Sequence, residues 1–144
     1  MTGLDSRQDY TIGTLEMSDL LENPISQLKT WLEIAVQAGV TEPNAMTLCT
    51  VAANNRPSSR VVLLRRLDDQ GLTFFTNYQS RKGQDLLETG FACLNFWWAA
   101  LERQVRVDRI EPIRLGGEHR RQAARRDDLG RLAEFVLQDR KSVV

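Results

Sequence analysis

The chain has 144 residues, 42% of them hydrophobic and 26% charged, with 19 Lys and Arg against 19 Asp and Glu. That length suits one hydrophobic core and argues against a second catalytic domain. The balanced whole-chain charge argues against a general attraction to nucleic acid or to an anionic membrane.

Residues 1–22 are polar and aperiodic, and read as a flexible N-terminal arm that orders against a partner. The opening stretch MTGLDSRQDY has neither the apolar core of a signal peptide nor the composition of a transit peptide, and no apolar run approaches membrane-spanning length. We therefore expect a cytoplasmic protein with no membrane contact. Asn23-Pro24 then supplies an N-cap followed by proline at the first helical position. Leu28, Trp31, Leu32 and Ala35 follow at helical spacing and Gly39 closes the segment, which predicts an amphipathic helix with Trp31 in the core.

Beyond Pro43 the pattern turns to strands. MTLCTVAA (46–53) and SSRVVLLRRL (58–67) flank the turn NNRP and predict a hairpin. LTFFT (72–76) follows a second turn at Asp68–Gly71. A helix is expected over 80–89, then strands FACLNFWW (91–98) and RQVRVDRIEPI (103–113). Short strands with one crossing helix point to a mainly β domain with flanking helices, a small antiparallel barrel or α+β fold. Cys49 and Cys93 each lie inside an apolar strand, and two isolated cysteines make neither a disulfide framework nor a four-ligand zinc site. Reduced, buried thiols and no metal are the expectation.

The tail, 114–144, holds 8 Lys/Arg and 5 Asp/Glu and one aromatic. It reads as a basic segment, helical or disordered, in which Leu129, Leu132, Ala133 and Val136 fit one short amphipathic helix. The sole histidine, His119, reads as a solvent-exposed bystander.

Three stretches offer chemistry. In R-V-V-L-L-R (60–65) strand alternation puts Arg60, Val62 and Leu64 on one face and Val61, Leu63 and Arg65 on the other. Taken alone, the two arginines fit the wet ends of a strand. Ser80-Arg81-Lys82 opens a helix, where unpaired N–H groups and two fixed cations suit a phosphate, although the same triplet also serves as a solvated cap. In R-Q-V-R-V (103–107), Gln104 and Arg106 share a face; a glutamine amide offers donor and acceptor together to the polar edge of a heterocycle, or simply faces solvent.

In this order the pieces SSRVVLLRRLDDQGLTFFTNYQSRKGQDLLETGFACLNFWWAALERQVRV, extended back through NPISQLKTWLEIAVQAGVTEPNAMTLCTV, resemble the pyridoxine/pyridoxamine 5′-phosphate oxidase family over residues 23–107. The resemblance implies an FMN-binding split β-barrel over residues 23–113, incomplete relative to the family, assembled as a homodimer with FMN between subunits. It implies cofactor contacts from Arg60, Val61, Val62, Leu63, Leu64 and Arg65, from Phe75 and Thr76, from a phosphate-binding pair Arg81 and Lys82, and from Gln104 across the dimer. Arg65 would also touch the substrate phosphate. The implied reaction oxidises pyridoxamine or pyridoxine 5′-phosphate to pyridoxal 5′-phosphate with dioxygen. The flavin carries the redox chemistry, so no catalytic side chain is expected.

Departures from the family pattern accompany the resemblance. Arg65 stands where the family usually has lysine, and Ala99-Ala100 where it has Glu-Pro. V-R-V-D-R-I lacks a glycine after its acidic residue, and from Arg114 the likeness is expected to stop, leaving out the family's later substrate-gripping segment. A short variant and a reading-frame change both fit that tail. The competing readings are a flavin- or pyridoxal-phosphate-binding module without turnover and, from the arginine tail, a nucleic-acid binder.

Overall fold

The computed structural model describes residues 9, 11–69, 71–77 and 79–108, with the backbone of 114–115 and 132–137. Helix α1 runs from Pro24 to Gln37. Its start is set as expected, because the Asn23 side chain accepts hydrogen bonds from the N–H groups of Ile25 at 2.8 Å and Ser26 at 3.1 Å. Gly39, at φ 70°, takes the left-handed conformation that ends the helix. Leu28, Trp31 and Ala35 form its buried stripe, and Arg103 lies over the Trp31 ring at 5.2 Å.

Among the described residues, eight strands form two antiparallel sheets. They are β1 Ala45–Val51, β2 Pro57–Leu63, β3 Arg66–Asp68, β4 Gly71–Asn77, β5 Ala92–Trp98, β6 Arg103–Asp108, β7 Arg114–Leu115 and β8 Leu132–Leu137. The first sheet has the order β2-β1-β5-β6 and the second β3-β4-β8-β7. The core lies on the inner face of the first sheet, where Met46, Leu48, Leu94, Phe96, Trp98, Val105 and Val107 pack with Leu72 and Phe74 of β4. Burial alternates along β1 and β5, as one solvated and one packed face require. The Trp98 indole N–H reaches the Pro43 carbonyl at 2.9 Å, so this buried ring leaves no donor orphaned.

The sheets join inside the segment expected as one strand over 58–67. Leu64 donates its N–H to the carbonyl of Asn44, just before β1 of the first sheet, at 2.9 Å, and the next residue, Arg65, donates to Thr73 in the second at 2.8 Å. A chain whose consecutive amides serve different sheets must bend, so the run divides into β2 and β3. The alternation still holds: Arg60 and Val62 are half-buried, Leu64 is buried, and Val61 and Arg65 are exposed.

Two expectations are corrected. The helix fitted to Leu129, Leu132, Ala133 and Val136 is not formed over the residues described; Leu132–Leu137 is a strand, paired antiparallel to β4 from Leu72↔Leu137 to Asn77↔Leu132. One side of β4 would otherwise present a row of unpaired amides, and satisfying them outweighs a weak helical spacing. Cys49 and Cys93 are reduced but half-buried rather than buried, because they occupy the outer face of the first sheet. The rest of the tail, His119 included, lies outside the described residues, as do residues 1–8 and 10. The described part of the arm is exposed and extended apart from a 3-10 turn at Met17–Asp19. It is tied to the domain where Thr11 and Ile12 donate their N–H groups to the Glu102 carboxylate at 2.6 and 2.9 Å.

Phe96 is fully buried beside Trp98, ring centroids 5.6 Å apart. We expect Phe96→Ala to lower the urea unfolding free energy by about 3–5 kcal/mol. A loss under about 1 kcal/mol would mean that this layer is not packed as described.

Candidate functional site

Helix α2, Arg81–Glu88, starts directly after β4. The intervening turn is held by Asn77, whose side chain accepts from the Gln79 N–H at 2.9 Å and whose carbonyl accepts from the Ser80 hydroxyl at 2.5 Å. Ser80 is the N-cap, its hydroxyl oxygen accepting the Gly83 N–H at 3.3 Å. The N–H groups of Arg81 and Lys82 belong to the first turn, which has no intrahelical acceptors, so they join two side-chain cations at the positive end of the helix.

The other face of α2 carries Asp85, 4% exposed. Its carboxylate accepts from the Thr50 hydroxyl at 2.7 Å and lies 3.4 Å from the Ser58 hydroxyl. Both hydroxyl oxygens accept in turn from Arg60, Thr50 from Nη1 at 2.8 Å and Ser58 from Nη2 at 2.6 Å, while Nη1 also donates to the Leu48 carbonyl at 3.2 Å. A buried carboxylate and a half-buried guanidinium are thus coupled through two hydroxyl groups, which is how such charges are tolerated away from water. Thr89 adds a second contact, its hydroxyl lying 2.9 Å from the Val51 carbonyl and 2.9 Å from the Asp85 carbonyl, which share its one proton. Helix α2 is therefore docked on β1 and β2 by polar contacts along its length and just past its end.

Arg60 is accordingly no wet strand end. Burial lowers its pKa from the ordinary arginine value; the charges of Asp85 and Cys49 oppose that shift, and nearby Arg81 adds to it. The Thr50 and Ser58 hydroxyls link Arg60 to Asp85 of α2, the helix that begins with Arg81 and Lys82. These bonds occupy three of the five guanidinium N–H groups. The other two are available to an anion, and a phosphate monoester fits this donor set of guanidinium, helix N-terminus, Arg81 and half-buried Lys82.

The remaining sequence-predicted residues divide. Arg65 is exposed beyond the bend, on the opposite face from Arg60. Phe75 is 46% exposed and Thr76 5% exposed, on opposite faces of β4, so the side chains of this pair cannot both address one ligand. Val61 is 67% exposed on the edge strand β2, while Val62 and Leu63 are half-buried and Leu64 is buried. Gln104 is exposed on β6, at the opposite edge of that sheet from Arg60. Three strand spacings, roughly 14 Å, separate β2 from β6 across the sheet, and within one chain Gln104 does not join the Arg60 cluster. It borders instead a cavity of about 360 Å³ shared with Ile12–Leu15 of the arm. Sequence reasoning missed Thr50, Ser58 and Asp85.

On the outer face of the same sheet Cys49 and Cys93 are direct cross-strand partners. Burial, then the adjacent Cys49 and the Asp108 charge, push the Cys93 thiol up to about 11, with Arg106 opposing.

Two antiparallel sheets joined at one bend, with a helix docked across the first, form a split β-barrel. A family model described as pyridoxamine 5′-phosphate oxidase matches residues 32–137, continuing past Arg114, where the likeness was expected to stop. A pyridoxine/pyridoxamine 5′-phosphate oxidase of Acaryochloris marina is 55% identical over 104 residues, covering 72% of this chain and 48% of the relative. The crystal structure of PhzG from Burkholderia lata in complex with tetrahydrophenazine-1-carboxylic acid superposes with a TM-score of 0.73 at 26% identity, covering 88% of this chain and 82% of that one. A pyridoxamine 5′-phosphate oxidase-related, FMN-binding protein of Nostoc punctiforme shares the fold, with a TM-score of 0.57 at 20% identity over 74% of this chain and 56% of that one. The chain belongs to the pyridoxamine 5′-phosphate oxidase family. It spans about half the length of the curated relatives it matches.

The Cys93 shift has a sign that can be measured. The unfolded thiol ionises near the ordinary 9.0 and the folded one only at about 11, so the folded state holds the extra proton between those values. Stability is therefore complete below pH 9 and falls as pH rises from about 9 to 11. In urea titrations across this range, Cys93→Ala should be less pH-sensitive than the parent; an identical slope would contradict the assignment.

Proposed function

We propose that the chain binds FMN, with its phosphate held by Arg60, Arg81, Lys82 and the start of α2, and that it oxidises pyridoxamine or pyridoxine 5′-phosphate to pyridoxal 5′-phosphate using dioxygen. What supports this reading is the network that bonds Arg60 through Thr50 and Ser58 to Asp85 on the helix opened by Arg81 and Lys82, in a member of this family. Backbone amides along 61–64 and at Phe75–Thr76 are suited to the polar edge of the flavin ring. Bound FMN supplies hydride acceptance and reaction with oxygen, so the protein's task is orientation and charge. Arg65, on the face away from Arg60, is assigned to the substrate phosphate.

The active form in this reading is a cytoplasmic homodimer, with residues 23–113 of each chain carrying the cofactor site. Two observations support a dimer. Gln104 lies at the opposite edge of its sheet from Arg60, and a second copy would bring another Gln104 to the flavin site. Val61 and Trp97, 67% and 49% exposed, put apolar surface on the outer face of the same sheet. Among the described residues no helix is long and apolar enough to cross a membrane.

A second reading, a flavin-binding module without turnover, is suggested by the Nostoc punctiforme protein of this fold, which is described as FMN-binding. Adding pyridoxamine 5′-phosphate to the FMN-loaded protein separates the two: catalysis releases peroxide at a rate proportional to enzyme, whereas a module releases none. For the phosphate assignment, Arg81→Ala with Lys82→Ala should weaken FMN roughly tenfold to a hundredfold in a fluorescence titration and leave riboflavin, which lacks the phosphate, nearly unchanged. An equal loss for both ligands would place the phosphate elsewhere.

A further inference from the structure

Resting on the phosphate-site reading, we propose that Asp85 is a positioning residue for Arg60, fixing through the Thr50 and Ser58 hydroxyls the orientation in which the guanidinium meets the flavin phosphate. The argument is one of proton direction. Each hydroxyl has a single proton and two lone pairs. Thr50, fully buried, gives its proton to the Asp85 carboxylate at 2.7 Å and so presents lone pairs to Arg60 Nη1 at 2.8 Å. Ser58 accepts from Arg60 Nη2 at 2.6 Å, and the protein acceptors within reach of its proton lie on the Asp85 side, the carboxylate at 3.4 Å and Thr50 at 3.2 Å. The carboxylate therefore sets both hydroxyls in the sense that receives the guanidinium.

The Leu48 carbonyl, at 3.2 Å from Nη1, fixes the plane of the group from a third direction. A guanidinium so held cannot rotate without breaking several bonds. The same carboxylate is borne by α2, the helix that carries Arg81 and Lys82. One side chain thus orients the strand cation and sets its separation from the helix cations. Without an acceptor at position 85 the hydroxyl protons turn toward other oxygens, Arg60 loses its fixed plane, and the ordering has to be supplied by the ligand at a cost in affinity.

The test compares FMN and riboflavin affinities, by flavin fluorescence, for the wild-type chain, Asp85→Ala and Asp85→Asn. The amide introduced by Asp85→Asn keeps an oxygen acceptor without the charge. Asp85→Ala should weaken FMN by about tenfold and riboflavin by less than about twofold, while Asp85→Asn retains most of the FMN affinity, because orientation and not charge is the role. Ser58→Ala, at a half-buried strand position, removes one hydroxyl and should cost FMN a few-fold; it carries the test if Asp85→Ala does not fold. The inference is overturned if the folded Ala variants keep wild-type FMN affinity, if both ligands weaken equally, or if Asp85→Asn loses as much as Asp85→Ala. Wild-type protein binding FMN no better than riboflavin would instead overturn the phosphate-site reading, and this inference with it.

Discussion

A buried carboxylate facing a half-buried guanidinium through two hydroxyl groups ties strand β2 to helix α2. Four side chains from three elements meet there, and none is satisfied alone. Removing any one leaves a polar group away from water, costing about 1–3 kcal/mol and more where the group is charged. The helix is short, with Leu86 as its one buried large apolar residue, so its place on the sheet is set by this network and by Thr89. Because Arg81 and Lys82 ride on that helix, the same contacts that stabilise the docking fix the relative position of three cations.

The second constraint is the bend at Leu64 and Arg65. Consecutive amides bound to Asn44 and Thr73 carry the chain from one sheet to the other. Arg60 lies before that transfer and is half-buried, while Arg65 lies at it and is exposed. Strand β8 then covers one side of β4, and the edge strands of the first sheet, β2 and β6, carry Val61 and Gln104.

Much of the fold was legible because local signals agreed with the global outcome. Asn23-Pro24 started α1, Ser80 started α2, and alternation along 103–107 put Val105 and Val107 inward and Gln104 and Arg106 outward. The bend was not legible, since its cause is two long-range hydrogen bonds with no local residue signature. Strand β8 was missed because its apolar residues satisfy a helical spacing equally well and only the vacancy beside β4 decides between them. The site was half legible: its cations announced themselves, but the groups holding Arg60 did not. A signal for Asp85 was present in the helical spacing of Lys82, Asp85, Leu86 and Thr89, which puts an acid on the stripe that packs against the sheet. An acid on that stripe needs a partner, and the nearest strands held Thr50 and Ser58.

The central claim is that these cations converge on one phosphate, and the most direct measurement of it is the pH titration of protein-bound FMN followed by phosphorus NMR. A phosphate monoester in water gains its proton near pH 6. Held by Arg60, Arg81 and Lys82 it should remain a dianion, its resonance unmoved, at least a full pH unit lower. A bound phosphate that titrates as free FMN does would show that it lies in solvent, away from the three cations.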